Sequence, residues 1–255
     1  MTAGTKIVHL HIPKTAGTAL QSALRKAFER AAGRTLRVFP HFEEKRYINI
    51  DPAQYDFFSG HFGFKTAATL GGELITVVRD PVDRFVSVYY FWRQLLEDGR
   101  EKSLKTLLAS KYSLAEFVKI RDEPSLLIAL YNTMTWQIAH GASLGARREL
   151  RRLGKTDDDV YKLALANLST FALVGIQERL ELFEKALERK FSVSVEIKRR
   201  NVTVTRASVI DISAATKRAI HDWSLMDMEL YQEAHKLAAE SFQKVGLPDS
   251  VNRAG

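Results

Sequence analysis

Apolar positions along the chain change period several times, and each change marks an element. Lys6–Ile12 alternates apolar and semi-polar residues around the β-formers Ile7, Val8, Leu10 and Ile12, which predicts a short buried strand. Pro13, with no amide hydrogen to donate, ends it. From Thr18 the period becomes helical. Ala19, Leu20, Ala23, Leu24, Ala27 and Phe28 share one face, and Gln21, Arg25, Lys26, Glu29 and Arg30 the other. Gly33 is a plausible C-cap. Thr35–Phe39 predicts a second strand closed by Pro40, and His41–Tyr47 a polar connection. Tyr55–His61 predicts a short strand running into a turn, and Lys65–Leu70 one or two helical turns stopped by Gly71 and Gly72. Glu73–Val78 is a buried strand. It leads into Arg79-Asp80-Pro81, where Asp80 can cap and Pro81 can start a helix over Val82–Glu97.

Beyond Glu97 the pattern is mostly helical. Gly99–Lys111 is polar with a helical stretch, Ser113–Arg121 reads as a capped helix, and Pro124–Gly141 as one longer helix. Leu144–Leu153 is a basic helix. Asp157–Leu168 is a helix whose acidic first turn suits the dipole. Phe171–Gly175 predicts a strand and Gln177–Phe191 a strongly amphipathic helix. A basic cluster at Lys198-Arg199-Arg200-Asn201 precedes the segment VTVTRASV, which is β-prone or loop. Helices over Ser213–Trp223 and Met226–Val245 close the chain. No repeat, linker or low-complexity block divides it. The expectation is one α/β domain over residues 1–255, with its core over about 5–245 and a loose tail over 246–255.

Composition narrows the chemistry. The 255 residues are 45% hydrophobic and 27% charged, as in an ordinary soluble globule. The absence of cysteine excludes disulfides, zinc–thiolate sites, iron–sulfur clusters and cysteine nucleophiles. A net charge of +8 points to polyanionic partners or an anionic cofactor, and bears on association rather than fold. The first residues lack an apolar signal core, and no run reaches the ~18 apolar residues of a membrane span. A cytoplasmic protein without a membrane segment is the expectation, and no nucleic-acid partner is expected.

Strand, glycine-containing loop and helix together form an anion-binding geometry. The first amides of a helix have no internal partner, and the dipole places positive charge there. In Lys14-Thr15-Ala16-Gly17-Thr18, Gly17 lets the backbone close on an anion, Lys14 adds a full charge, and Thr15 and Thr18 add hydroxyls. An ordinary solvated turn is the alternative. The P-loop pattern GxxxxGK[ST] occurs nowhere, and here the lysine precedes the glycine. A second strand–turn–helix unit carries RDPVDRFVSVYY. It places Arg79 at the end of its strand and Ser87 eight residues on, and a guanidinium suits a phosphate dianion. Arg79 shares a crevice with the first loop if the two strands are parallel neighbours.

HIPKTAGT resembles the 5′-phosphosulfate loop of the sulfotransferases that use PAPS (3′-phosphoadenosine 5′-phosphosulfate). The likeness is to the carbohydrate branch of that family, which includes the heparan sulfate 2-O- and 6-O-sulfotransferases and bacterial relatives. RDPVDRFVSVYY resembles the same family's RDPxxRxxSxY, FALVGIQERLELFEKAL its VGxxER stretch, and DMELYQEAHKL its DxxLYxxA ending. The resemblance implies a P-loop-like three-layer fold, with a mainly parallel sheet between helices and a helix-rich C-terminal half. It implies that Lys14, Thr15, Ala16, Gly17, Thr18 and Ala19 hold the 5′ end of PAPS, and that Arg79 and Ser87 hold its 3′-phosphate. Arg200 and Asn201 fall where a late basic loop of the family closes over the nucleotide. Two departures stand out. Ala19 replaces a frequent Ser or Thr, and Trp136 in NTMTWQ stands where an arginine is common. Trp136 is read either as interior or as a stacking partner for adenine or sugar. Eukaryotic members carry a membrane anchor, so its absence here suggests a bacterial member or a trimmed catalytic domain.

The activity implied is transfer of a sulfuryl group from PAPS to a hydroxyl, most readily of a saccharide or polysaccharide, including one already anionic. No metal is required. Lys14 is the catalytic cation for the leaving phosphate, and a histidine or carboxylate must take the hydroxyl proton. His61, between Gly60 and Gly63, resembles the Gly-His of the family's catalytic histidine and is the chosen base, with His41 the alternative. His9 and His11 alternate along the first strand and read as structural; His140, His221 and His235 lie on helices without a motif. Arg147, Arg148, Arg151, Arg152 and Lys155 form either a solvated face or a patch for an anionic acceptor. A nucleotide-dependent kinase and a non-catalytic polyanion-binding protein are the alternative functions.

Overall fold

The computed structural model describes residues 5–40, 43–47, 49–197 and 211–247. Its framework is four parallel strands in the order β2-β1-β3-β4: β1 (Ile7–Leu10), β2 (Phe57–Gly60), β3 (Glu73–Val78) and β4 (Leu173–Ile176). Every residue of β1, β2 and β4 is buried, as expected of a parallel sheet covered on both faces. In chain order the helices are α1 (Gly17–Ala32), α2 (Phe64–Ala67), α3 (Pro81–Glu97), α4 (Leu104–Lys111), α5 (Leu114–Phe117) and α6 (Pro124–Leu130). They continue as α7 (Thr133–Ala139), α8 (Leu144–Arg152), α9 (Asp157–Leu168), α10 (Leu180–Phe191), α11 (Ala214–His221) and α12 (Leu225–Lys244). The sheet sits in one buried cluster that includes Leu20, Leu24 and Phe28 of α1. A second cluster joins Phe85, Tyr89 and Trp92 of α3 to Phe117, Leu126 and Trp223. No helix among the described residues is long and apolar enough to cross a membrane.

Several elements differ from the sequence expectation; the helix expected over Ser113–Arg121, for one, is only α5. Thr35–Phe39 is not a strand; only Val38 forms an isolated parallel bridge, to Phe57. Backbone bonds run from Asp56 to the Arg37 carbonyl at 2.8 Å and from Phe39 to the Phe57 carbonyl at 3.0 Å, but the Arg37 amide is diverted to the Asp56 carboxylate at 3.0 Å, which also takes Arg34 Nη1 at 2.7 Å and Arg37 Nη2 at 2.8 Å. Pro40 then removes the next donor.

The helix expected over Pro124–Gly141 breaks between α6 and α7. Asn132 adopts a left-handed conformation at φ 45°, which asparagine tolerates better than most residues. Its Oδ1 accepts from the amides of Met226 at 2.9 Å and Asp227 at 3.2 Å. Asp227 in turn accepts from the amides of Met134 at 3.3 Å and Thr135 at 2.8 Å, and from the Thr135 hydroxyl at 2.8 Å. The starts of α7 and α12 cap one another. Lastly, β4 runs on to Ile176, and Gln177–Arg179 form a tighter 3-10 turn before α10. At the far end Leu247 is buried and donates to the Phe242 carbonyl at 2.9 Å, so it belongs to the body; residues 248–255 lie outside the described residues.

Replacing Asn132 by Ala removes the acceptor of two buried amides. The expected loss is about 1–3 kcal/mol, read as a lower urea midpoint at unchanged m-value. An unchanged midpoint would show that the reciprocal cap does not carry this junction.

Candidate active site

Register decides what meets at the carboxyl edge of the sheet. Leu10 is paired with Gly60 on one side and Thr76 on the other. The segments that leave β1, β2 and β3 therefore emerge side by side: the Lys14 loop, His61 and Arg79. In open parallel sheets this edge is where ligands bind.

Within the loop, Lys14 and Ala16 hold positive φ, 70° and 65°, a left-handed conformation that costs a non-glycine residue about 1 kcal/mol or more. Two bonds hold it. The Thr15 hydroxyl donates to the Ile12 carbonyl at 2.8 Å, and Arg79 Nη1 donates to the Lys14 carbonyl at 2.9 Å. Ala16 is the N-cap of α1, and no side chain caps that end. The first amides of α1 follow at Gly17, Thr18 and Ala19. Thr18 is exposed; Gly17 and Ala19 are buried. Thr15 is also buried, its hydroxyl turned into the loop.

Arg79 is 7% exposed. Besides the Lys14 carbonyl, it donates from Nε to Asp83 Oδ2 at 2.7 Å, with Nη2 on the same oxygen. Asp83, Ser87 and Phe91 follow at four-residue steps on α3 and so share a face. The Lys14 ammonium rests 3.9 Å from the centroid of the Phe91 ring. Ser87 thus lies on the helix row between the partner of Arg79 and the partner of Lys14. The two motifs are joined directly by the Arg79–Lys14 bond and again through α3.

Histidines complete the edge. His9 is paired with Ser59, and its Nδ1 lies 2.8 Å from Ser59 Oγ. His11 follows on the same face and its ring meets that of His61 at 4.6 Å, edge to face. His61 reaches solvent on one side, while protein surrounds the rest of the ring and lowers its pKa by desolvation. A neutral imidazole there can accept a proton at neutral pH. Burial first, then the charge of His61, brings the His9 pKa down to about 3. Burial also holds His11 well below its ordinary value. Gly63 must be glycine, since a Cβ there would lie 2.1 Å from the His140 carbonyl oxygen.

The remaining candidate residues fall elsewhere. Arg200, Asn201 and His41 lie outside the described residues. Trp136 is interior, 2% exposed, with the guanidinium groups of Arg147 and Arg151 each 5.1 Å from its ring. Arg147 is itself buried and donates to the carbonyls of Ala142 at 3.3 Å and Ile128 at 3.1 Å; Arg148, Arg151 and Arg152 are the exposed basic residues of α8. Glu178 of the VGIQER segment accepts from the Asp80 amide at 3.1 Å and from the Tyr231 hydroxyl at 3.0 Å. That stretch and the DMELYQEA helix therefore brace the turn that carries Arg79. Sequence reasoning did not single out Asp83, Phe91 and Gln137. The first two were legible as an i, i+4, i+8 row through Ser87. Gln137, whose Nε2 donates to the carbonyls of His11 at 3.0 Å and Phe62 at 2.9 Å, left no such signal. Among the described residues no cluster of His, Asp or Glu could hold a metal ion.

The profile of a family described as the sulfotransferase family matches residues 1–232. Heparan-sulfate 6-O-sulfotransferase 3 of Homo sapiens is 25% identical over 180 residues, 66% of this chain and 38% of that protein. Heparan sulfate 2-O-sulfotransferase 1 of Homo sapiens is 26% identical over 199 residues, 73% of this chain and 53% of that protein. The chain thus spans between about a third and a half of the length of these relatives.

His9 makes stability depend on pH. Its folded pKa, about 3, lies below the ordinary 6.5, so folding favours the neutral ring. Its contribution is complete above pH 6.5 and is lost as pH falls toward 3; by pH 5 the loss is about 2 kcal/mol. His9→Asn, which cannot titrate, is expected to flatten the fall in urea midpoint between pH 7 and 5. An equally steep fall in that variant would place the dependence elsewhere.

Proposed function

The chain belongs to the sulfotransferase family, and we propose that it transfers the sulfuryl group of PAPS to a hydroxyl of a saccharide acceptor. The observation that carries this reading is the hydrogen bond from Arg79 Nη1 to the Lys14 carbonyl. It joins two cationic residues and an uncapped helix end in one crevice, beside a histidine that can take a proton.

The residues suit a nucleotide with phosphates at both ends of its ribose. The first amides of α1 and Lys14 would hold the 5′ end, and Arg79 with Ser87 the 3′-phosphate. Bound there, PAPS supplies the sulfuryl group and leaves adenosine 3′,5′-bisphosphate (PAP). Lys14 and the amides of Gly17 and Thr18 stabilise the negative charge that grows on the departing 5′-phosphate. A ring nitrogen of His61 takes the acceptor hydroxyl proton as the oxygen bonds to sulfur and the bond from sulfur to the phosphate oxygen breaks. Lys14 must leave the Phe91 ring, and Arg79 must share or exchange Asp83, for either to meet a phosphate. A saccharide acceptor is supported by the heparan sulfate sulfotransferases among the relatives. An anionic one fits the net charge of +8.

Calorimetric titration with PAP and with ADP tests the donor. PAP is expected to bind without metal and tighter than ADP by about tenfold or more, the scale of one charge-assisted phosphate contact. Preference for ADP with magnesium would turn the reading toward a kinase, and no nucleotide binding toward a polyanion-binding protein. His61→Ala is expected to lower kcat by about 10²–10⁴-fold in a labelled-PAPS transfer assay while PAP binding survives. Full activity in that variant would remove His61 as the base.

A further inference from the structure

The ring of His11 stands between the phosphate loop and His61, and the chemistry above gives it no task. Its place follows from sheet register. His9 and Ser59 are a cross-strand pair of β1 and β2. Two residues on, with the His11 amide bonded to the Gly60 carbonyl at 3.0 Å, the next pair on the same face is His11 and His61. Their rings meet at 4.6 Å and 60°. Behind His11, the His9 ring stacks at 5.3 Å and 15°, and is itself fixed by Ser59 Oγ at 2.8 Å. In this column the His9 and His11 rings thus meet face to face, while His11 and His61 meet edge to face.

On its other side His11 abuts the first residue of α1. A Cβ at Gly17 would lie 1.8 Å from His11 Cδ2 and 1.9 Å from Nε2. No residue but glycine fits there while the ring is in place. The backbone is equally constrained, because the Gln137 amide that donates to the His11 carbonyl also donates to the Phe62 carbonyl next to His61. His11 is thus enclosed by the start of the nucleotide helix, the His9 ring, Gln137 and the candidate base.

We propose that His11 is a positioning residue: its buried ring fixes where the His61 imidazole stands relative to the first turn of α1, and so sets the alignment of base and phosphate loop. The inference rests on the reading of His61 as base. Among the described residues, His9 and His11 are titratable groups that interact electrostatically with His61, and Lys14, from the loop, interacts with His11. Burial keeps both buried rings neutral, so the column orients His61 without adding charge beside it. Removing the ring admits water to His61 and frees its orientation.

The test uses the full chain with His11→Ala, His11→Leu and His11→Phe, and three readouts: the His61 titration by NMR without substrate, PAP affinity by calorimetry, and the pH profile of kcat. His11→Ala is expected to raise the His61 pKa and the acidic limb of kcat together. It should lower kcat by about 10–100-fold, the scale of lost orientation, with PAP affinity changed less than about threefold. His11→Leu, which fills the volume without a flat ring edge, should also lose kcat at intact PAP affinity, and His11→Phe should recover most of it. The proposal is overturned if His61 titrates as in the wild type in His11→Ala, if PAP affinity falls in step with kcat, or if His11→Phe is no better than His11→Leu. The substrate-free titration keeps the two readings apart. A wild-type protein inactive with PAPS, whose His61 still responds to His11, refutes the function and not the positioning.

Discussion

Everything at the candidate site depends on the parallel pairing of β1 with a strand on each side. Leu10 is matched to Gly60 and to Thr76, so three segments from distant parts of the chain leave the sheet side by side, the one after β3 two residues farther along. A slip of one residue in either pairing would turn the following side chains to the opposite face. His61 would then lose His11, or Arg79 its reach to the Lys14 carbonyl. The register is protected by burial, since β1 and β2 are enclosed along their whole length and a slipped pairing would misplace Phe57, Phe58, Val8 and Leu10 together.

The helices convert this alignment into a site. Along one row of α3, Asp83 engages Arg79 and Phe91 supports Lys14, so both cations rest on partners they must exchange for an anion. Farther out, the reciprocal caps of Asn132 and Asp227 fix the start of α7, the short helix that carries Gln137 to the carbonyls beside His11 and His61. Glu178 and Tyr231 brace the turn at Asp80. The helix-rich second half of the chain thus contributes supports for a crevice whose proposed anion-binding and proton-accepting groups, Lys14, His61, Arg79 and Ser87, come from its first half.

Local signals were legible in the sequence because local physics decides them. Ile7–Leu10, Glu73–Val78 and the Pro81 start of α3 were readable from strand pattern, proline and capping chemistry, and the lysine-before-glycine order distinguished the loop from an ordinary P-loop. Non-local choices were not readable. Asn132 breaks a helix that its neighbours favour, because partners nearly a hundred residues away satisfy its side-chain carbonyl and the amides beyond it. Thr35–Phe39 has strand composition, but the Asp56 carboxylate takes the Arg37 amide that a ladder would use. His9 and His11 were recognisable as sharing a face. That the same face of β2 would present Ser59 and His61 required knowing which strand lies beside β1.

On the proposed function, the Lys14 loop and Arg79 form one clamp for a nucleotide with two separated phosphates. Calorimetric titration of the wild type and Arg79→Ala with PAP and with 5′-AMP, which lacks the 3′-phosphate, tests it most directly. Wild type is predicted to favour PAP over AMP by about tenfold or more, and Arg79→Ala to lose that preference and bind both alike. A preference for PAP that survives in Arg79→Ala would contradict the clamp, as would an equal loss of both ligands.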